Sequence, residues 1–196
     1  MVIRTGEWIS EAWDLVKQDF WMHALIALIF SAVSGTGVGF IIVGPLTCGY
    51  IYVIITKLQN PSARLDLNHL SKGFEVFGDS FVAWLLVGLF AGLGAIACLV
   101  GSIIISAMLM FALPLVMDRR MTFWDAITAS WDKTKSNWFG VSLFMFLLGL
   151  LGTAIIGLTC GLGYFVAFPL MQIATVLAYR DNFGLARAAA PPPRAP

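Results

Sequence analysis

The charged residues of this chain are confined to four short segments, and this distribution constrains the fold more than any other feature. All 12 lysines and arginines and all 11 aspartates and glutamates lie within residues 1–20, 57–80, 118–135 and 180–196. The stretches between these segments contain none of them: 21–56, 81–117 and 136–179. Long uncharged stretches in a chain that is 59% hydrophobic and only 12% charged predict an integral membrane protein.

The lengths of the uncharged stretches set the number of spans. The shortest has 36 residues, and as one helix it would be about 54 Å long, whereas the hydrocarbon core of a bilayer is about 30 Å thick. Two helices joined by a glycine-containing turn fit each stretch, with turns near Gly35, Gly101 and Gly161. We predict an all-α membrane protein with six transmembrane helices in three hairpins, over about 21–34, 40–57, 81–100, 103–117, 138–158 and 163–180. Because the first span is short, a partly re-entrant first hairpin is the alternative.

The orientation follows from the same charge distribution. A hairpin returns to the side from which it left, so all charged residues lie on one face of the membrane. The positive-inside rule makes that face cytoplasmic, with both termini inside. Four acidic residues precede the first apolar run, which argues against a cleavable signal peptide. The net charge of +1 argues against a nucleic-acid partner.

Three segments repeat one amphipathic pattern directly before the first, third and fifth spans. Apolar or aromatic residues spaced 4, 3 and 4 apart place one stripe on a helix that is typical of the membrane interface. The three stripes are Ile9, Trp13, Val16 and Phe20; Leu70, Phe74, Phe77 and Phe81; and Ile127, Trp131, Thr134 and Trp138. The second arm of each hairpin carries a Pro-Leu pair, beginning at Pro45, Pro114 and Pro169.

This recurrence predicts a threefold internal repeat within one domain. Each repeat is a cytoplasmic interfacial amphipathic helix followed by a hairpin, over about 5–60, 66–120 and 121–184. Residues 1–184 form the single membrane domain, and the Pro- and Ala-rich tail 185–196 is predicted to be disordered.

Several runs in the second half of the chain resemble a known group of proteins. They include Leu113–Arg120, Phe123–Ile127, Ser136–Trp138, Phe168–Leu170 and Ala178–Gly184, together with Gly39–Leu46 in the first half. Such runs are similar to those of bacterial six-span integral membrane proteins known only as domains of unknown function, most closely over 110–184. The resemblance implies a multi-pass protein of the bacterial inner membrane. It implies no reaction, ligand or catalytic residue.

Few residues have the chemistry of a catalytic or metal site. His23 is the one ionisable side chain predicted inside a span, at its cytoplasmic edge, where an interfacial histidine is the simpler interpretation. Asp66, His69 and Ser71 lie on one short segment, which disfavours a catalytic triad. The cysteines at 48, 98 and 160 are interpreted as small buried hydrophobes, although a disulfide between Cys98 and Cys160 is conceivable. We predict no catalytic residue, no metal and no cofactor.

Two sets of residues are candidates for binding. One is the densest basic region, which would contact a partner or lipid headgroups: Arg119, Arg120, Lys133 and Lys135. The other would line a polar cavity between the spans if one exists: Thr47, Tyr50, Pro169 and Gln172. Gly-xxx-Gly patterns at 88–92, with Gly94, and at 157–161 predict close helix contacts inside the bundle or, alternatively, a homo-oligomer.

The sequence therefore favours a non-enzymatic membrane protein that binds a protein partner or membrane lipids through its cytoplasmic face. The alternative is a passive channel or transporter for a neutral or hydrophobic small molecule. An ion-coupled transporter is disfavoured because the predicted spans contain no Asp, Glu, Lys or Arg.

Overall fold

The computed structural model describes residues 1–36, 39–61, 65–97 and 99–186, and these residues form helices and the connections between them. A 3₁₀ helix, Leu67–Val76, leads into α4, and a 3₁₀ turn, Lys135–Asn137, joins α7 to α8. The α-helices are α1 Thr5–Gln18, α2 Phe20–Ser34, α3 Gly39–Gln59, α4 Phe77–Ala97, α5 Leu99–Met108, α6 Ala112–Arg119, α7 Phe123–Thr134, α8 Trp138–Leu158 and α9 Tyr164–Phe183.

Several helices are long and apolar enough to cross a membrane, which agrees with the prediction of an all-α membrane protein. There are four in the described residues, and the last three each join neighbouring elements of the preceding list: Gly39–Gln59, Leu67–Ala95, Val100–Arg119 and Phe123–Leu158. The pair α1 and α2 adds a fifth if it is counted as one broken span, and it bends by 97°. The predicted sixth span forms α9, which is of similar length but less apolar because it carries Gln172, Arg180 and Asp181.

The second arm of the middle hairpin differs from the continuous helix predicted over 103–117. A turn at 109–111 separates α5 from α6, just before Pro114, which has no N–H to donate to the Met110 carbonyl. Side chains of α7 bind backbone groups at this turn. The Ser130 hydroxyl accepts from the Phe111 N–H at 3.3 Å and donates to the Met108 carbonyl at 2.8 Å.

The turn predicted near Gly101 lies elsewhere. Gly101 is inside α5, which begins at Leu99, and α4 ends at Ala97; position 98 lies outside the described residues. Gly101 instead marks a close helix crossing, since a Cβ on Gly94 would come within 3.0 Å of its carbonyl carbon. The turn near Gly161 is where the sequence predicts it, between α8 and α9, with Cys160 and Gly161 at φ of 51° and 94°.

The helices sort into inner and outer groups. α3, the α5–α6 arm and α9 are largely buried and carry the three Pro-Leu pairs, of which every residue is buried. By contrast, only 11% of the residues in an apolar 18-residue window of Leu67–Ala95 are buried, against 67% in the corresponding window of Gly39–Gln59. The second arm of each predicted hairpin therefore builds the core, and the first arm lies at the periphery.

Contacts between the helices close a circle. α1 packs on α9, the 3₁₀ helix packs on α3, and α7 packs on α6. The outer helices follow the same order, since α2 contacts α3 and α9, α4 contacts α3 and α5, and α8 contacts α5 and α9. Each amphipathic segment thus lies on the inner helix that precedes it around the circle, and the first segment lies on the last helix.

A small residue is buried in each amphipathic segment, one position before the second residue of the predicted stripe. Ala12 and Ser130 are both 0% exposed, and Gly73 is also buried. At Gly73 the backbones of the 3₁₀ helix and α3 nearly touch, because a Cβ there would come within 3.0 Å of backbone atoms of Pro45 and Gly49. Small side chains at these positions allow close approach of helices.

The glycine patterns predicted to pack inside the bundle mostly do not. A Cβ on Gly88, Gly92, Gly157 or Gly161 would meet nothing within 4 Å in the described part of the chain. The expectation of intramolecular packing is therefore wrong at these four positions, because Gly88, Gly92 and Gly157 lie on outward faces of their helices and Gly161 lies in an exposed turn. Gly94 is the exception, through its contact with Gly101.

Candidate functional site

Charged side chains from distant segments meet at one end of the bundle, which we call the charged face. The Arg180 guanidinium, at the end of α9, binds both carboxylate oxygens of Glu11 at 2.6 and 3.0 Å. Beside it the Trp8 indole N–H donates to Asp181 at 2.8 Å. Lys57, at the end of α3, pairs with Asp19 at 2.9 Å. Bidentate arginine–carboxylate pairing fixes orientation as well as position. The Arg180–Glu11 pair and the Trp8–Asp181 hydrogen bond therefore hold α1 against α9.

The residues after α9 are fastened to the same face. Asp118 accepts from the Tyr179 hydroxyl at 2.7 Å and from the Ala186 N–H at 2.9 Å. The Gln59 amide donates to the Ala186 carbonyl at 2.9 Å. At the other end of the chain, the Asn182 side chain exchanges hydrogen bonds with the Val2 backbone. The charged face therefore brings Val2 and the residues after α9 to the same end of the bundle.

The four predicted basic contact residues do not form one patch. Arg119 donates to the Phe183 carbonyl at 2.6 Å and lies over the Phe183 ring, with Lys133 over the same ring. Arg120 instead pairs with Glu75 at 2.7 Å, and Lys135 pairs with Asp132 at 2.5 Å. Arg119 and Lys133 thus contact the end of α9, whereas Arg120 and Lys135 pair with acids, and of the four only Lys133 is half-buried rather than exposed.

An aromatic residue projects outward from the same position of each amphipathic segment. Trp13, Phe74 and Trp131 are 43%, 43% and 44% exposed, and we call these three residues the aromatic collar. In each case the next residue is an ion-paired acid. The pairs are Asp14 with Lys17, Glu75 with Lys72 and Arg120, and Asp132 with Lys135.

This combination is typical of a membrane interface, where an aromatic ring lies between the apolar region and water. Sequence periodicity located these aromatic residues but did not show that the preceding small residue, rather than the aromatic one, packs inward. The hydrogen bonds from Lys72 and Arg120 hold the pKa of the Glu75 carboxyl below its ordinary value.

Asp66, His69 and Ser71 are engaged separately. Asp66 caps the 3₁₀ helix by accepting from the Asn68 N–H at 2.9 Å, which lowers the pKa of its carboxyl. Ser71 donates to the Asn68 carbonyl at 2.6 Å, and the His69 ring packs edge-on against Tyr52. In this arrangement the hydroxyl and the carboxylate are both bound to backbone groups.

The four predicted cavity-lining residues lie in the two inner helices α3 and α9. Thr47 is buried and donates to the Val43 carbonyl at 2.7 Å. Pro169 is buried and Gln172 half-buried in α9. The cavities described below are lined by other residues.

His23 is buried, 4% exposed, rather than interfacial. Its Nδ1 lies 2.8 Å from the hydroxyl oxygen of Tyr50, whose ring stacks on Phe168. No sequence pattern pointed to the pairing of His23 with Tyr50. The tyrosine in an apolar helix was the feature that could have predicted it, because a buried phenol requires a hydrogen-bond partner.

Two sizeable cavities open at the outer surface. One, of about 380 Å³, lies between α4, α5 and α7 and is bordered by Trp124 and Trp131. The other, of about 430 Å³, lies between α2 and α9 beside Trp21 and Phe165. Both are lined mainly by apolar side chains, as expected for surfaces that face hydrocarbon chains.

The two cysteines in the described residues differ in burial. Cys48 is buried and Cys160 exposed, so the prediction of a buried cysteine is wrong at Cys160, which lies in the outer turn. Cys98 and the predicted tail from 187 onward lie outside the described residues. Within the described residues, no three His, Cys, Asp or Glu side chains are placed to hold a metal ion.

Comparisons with known proteins identify the family. Curated proteins and solved structures gave no match. Residues 82–184, more than half of the chain, match the family described as the membrane domain of glycerophosphoryl diester phosphodiesterase. The matched region covers α8 and α9 entirely and begins within α4. The chain therefore belongs to the family of glycerophosphoryl diester phosphodiesterase membrane domains.

Proposed function

We propose that this chain is a non-enzymatic module of the bacterial inner membrane that holds a protein partner at its cytoplasmic charged face. The name of its family attaches such a membrane domain to a phosphodiesterase. Catalysis would then belong to the partner, and this chain would supply attachment to the membrane. The observation that carries the proposal is that ionisable groups gather at one face while the helices behind it are apolar.

We further propose six spans arranged as three repeats around a pseudo-threefold axis along the membrane normal. The circular order of helix contacts supports the repeat, as do the buried Pro-Leu pairs and the equal exposure of the aromatic collar. α9 would be the sixth span, since it is an inner helix covered by α1, α2 and α8. Gln172 then faces protein instead of lipid, and Arg180 and Asp181 lie at the charged face at the end of the helix, which lowers the hydropathy that spanning requires.

The exposed cations of the charged face suit partner binding. Arg120 and Lys135 are paired with acids yet remain 48% and 56% exposed. Exposed ion pairs contribute at most about 1 kcal/mol to stability, so these cations can exchange their acids for those of a partner at little cost. Arg119 is a poorer candidate, since it binds the Phe183 carbonyl.

The binding module is preferred to a passive channel. The hydroxyls of Thr47 and Tyr50, which would line such a path, are engaged inside the bundle by Val43 and His23. A pathway for a polar molecule requires polar groups that can turn toward it.

The test is affinity purification of the full chain from bacterial membranes in mild detergent, with chemical crosslinking before extraction. We expect a stoichiometric partner to be retained by the unchanged protein and lost in the double variant Arg120→Glu/Lys135→Glu. Lys17→Glu is the matched control, because Lys17 forms the same kind of exposed pair with Asp14 at a different part of the circle. Retention in the double variant would contradict the proposed face. Hydrolysis of a glycerophosphodiester by the purified chain alone would contradict a non-enzymatic role.

A further inference from the structure

The cavity between α4, α5 and α7 has a polar and an apolar end. Leu109 and Ile127 are buried and form its floor. Its polar lining residues, Thr128 and Asp132, are both exposed and mark its mouth. The Thr128 hydroxyl is already bound to backbone carbonyls of α7, so the interior offers almost no polar group to a ligand. An occupant must therefore be apolar at one end.

Charges and aromatic rings surround the mouth. Trp124 and Trp131 are 56% and 44% exposed and border the cavity. Asp132 contributes its carboxylate, which pairs with the Lys135 ammonium. An anion and a cation are thus presented side by side above an apolar slot, where indole rings also attract cations.

We propose that this cavity holds one acyl chain of a zwitterionic phospholipid with an amino headgroup. The hydrocarbon chain lies on Leu109 and Ile127, the phosphate contacts Lys135, and the ammonium contacts Asp132 and the face of Trp131. Charge complementarity selects this occupant, because the mouth offers one charge of each sign. The site rests on the proposed membrane location of the chain and not on the binding of a protein partner.

The cavity is too small to enclose a whole helix, since a helix about 10 Å across would fill 380 Å³ within about one turn. The volume lies in the lower part of the range of about 300–1,000 Å³ for small-ligand sites.

Selectivity must come from the headgroup. An acyl chain leaves one hydrocarbon environment for another when it moves from the bilayer into the cavity, so burial contributes little. The contacts with Asp132 and Lys135 therefore determine which lipid is retained. A lipid with a purely anionic headgroup would leave the Asp132 carboxylate without a cation from the ligand.

Native mass spectrometry of the purified full chain tests the site, with added phosphatidylethanolamine or phosphatidylglycerol. We expect one phosphatidylethanolamine to be retained preferentially, and Thr128→Phe, which fills the mouth, to abolish that retention. Ser10→Phe is the matched control, since Ser10 occupies the same position of α1 and is exposed. Asp132→Asn should reduce the preference for phosphatidylethanolamine about fivefold, the upper range for one exposed charge contact.

Equal retention by Thr128→Phe and Ser10→Phe would overturn the site and leave surface lipid as the explanation. An unchanged preference in Asp132→Asn would overturn the headgroup assignment. A second measurement avoids the cavity-filling variant altogether. Phosphatidylethanolamine with brominated acyl chains should quench tryptophan fluorescence in the unchanged protein, and less in Trp124→Phe/Trp131→Phe. Equal quenching in both proteins would also overturn the proposal. Because no partner is present, these outcomes do not depend on the purification experiment.

Discussion

Gly73 should be the glycine at which a methyl group does most harm. An added Cβ would lie within 3.0 Å of three backbone atoms of α3: the Pro45 oxygen, the Gly49 nitrogen and the Gly49 Cα. Real Cβ atoms essentially never approach so closely, and backbone cannot move aside as a flexible side chain can. Relief requires the 3₁₀ helix and α3 to separate, which would open a gap along their whole contact.

The expected cost of Gly73→Ala is at least about 3 kcal/mol, the upper part of the usual range for overpacking. For a chain of this size, that corresponds to a fall of about 6 to 12 °C in the melting temperature. Gly78→Ala is the control, because a Cβ there meets nothing within 4 Å. It should stabilise α4 by up to about 1 kcal/mol through helix propensity.

Thermal unfolding of both variants in the same detergent, followed by circular dichroism, measures the difference. The two substitutions remove the same kind of backbone freedom, so their difference isolates the helix contact. Melting temperatures of the two variants within 2 °C of each other would refute the backbone crossing at Gly73.

Two further predictions concern the fold. Ser130→Ala removes the acceptor of the Phe111 N–H and should cost about 1 to 2 kcal/mol, measured by the same thermal unfolding; a change as small as that of exposed Ser136→Ala would contradict it. Burial alone would raise the pKa of Asp181, but hydrogen bonds from Trp8 and Arg180, together with nearby positive charge, place it below 3.8. The stabilising effect of the ionised Asp181 is therefore complete above pH 3.8, the ordinary pKa, and is lost as the pH falls through the lower pKa of the folded state. Asp181→Asn should be less stable at pH 7 and lose less stability below pH 4; parallel pH profiles of the two proteins would refute this role.

Much of the helical organisation is readable from the sequence. For five of the six predicted spans, both ends lie within four residues of the ends of an observed helix. The exception is instructive. Pro114 follows the turn that interrupts the second arm, but Pro45 and Pro169 lie inside continuous helices. At this turn Ser130, which is distant in the chain, supplies partners for the Phe111 N–H and the Met108 carbonyl. Local patterns identify the proline, whereas only tertiary contacts decide whether a kink or a break results.

The candidate site was less predictable for a related reason. Arg119, Arg120, Lys133 and Lys135 are close in sequence and share one charge, so they read as a single surface. In the fold, the Arg119 guanidinium and the Lys133 ammonium both lie over the ring of Phe183. Long-range pairing with Glu75 then separates Arg120 from the rest. The sequence shows where charge is concentrated along the chain, but the direction of each side chain depends on contacts with segments that are distant in the chain.

The closed circle of contacts has a consequence for synthesis. The ribosome delivers α1 before α9, yet Trp8 is buried and bound to Asp181 of α9, and Glu11 pairs with Arg180 of α9. Until α9 has been made, α1 lacks these partners. Docking of α1 therefore requires α9, and a chain released before α9 would carry an undocked first helix.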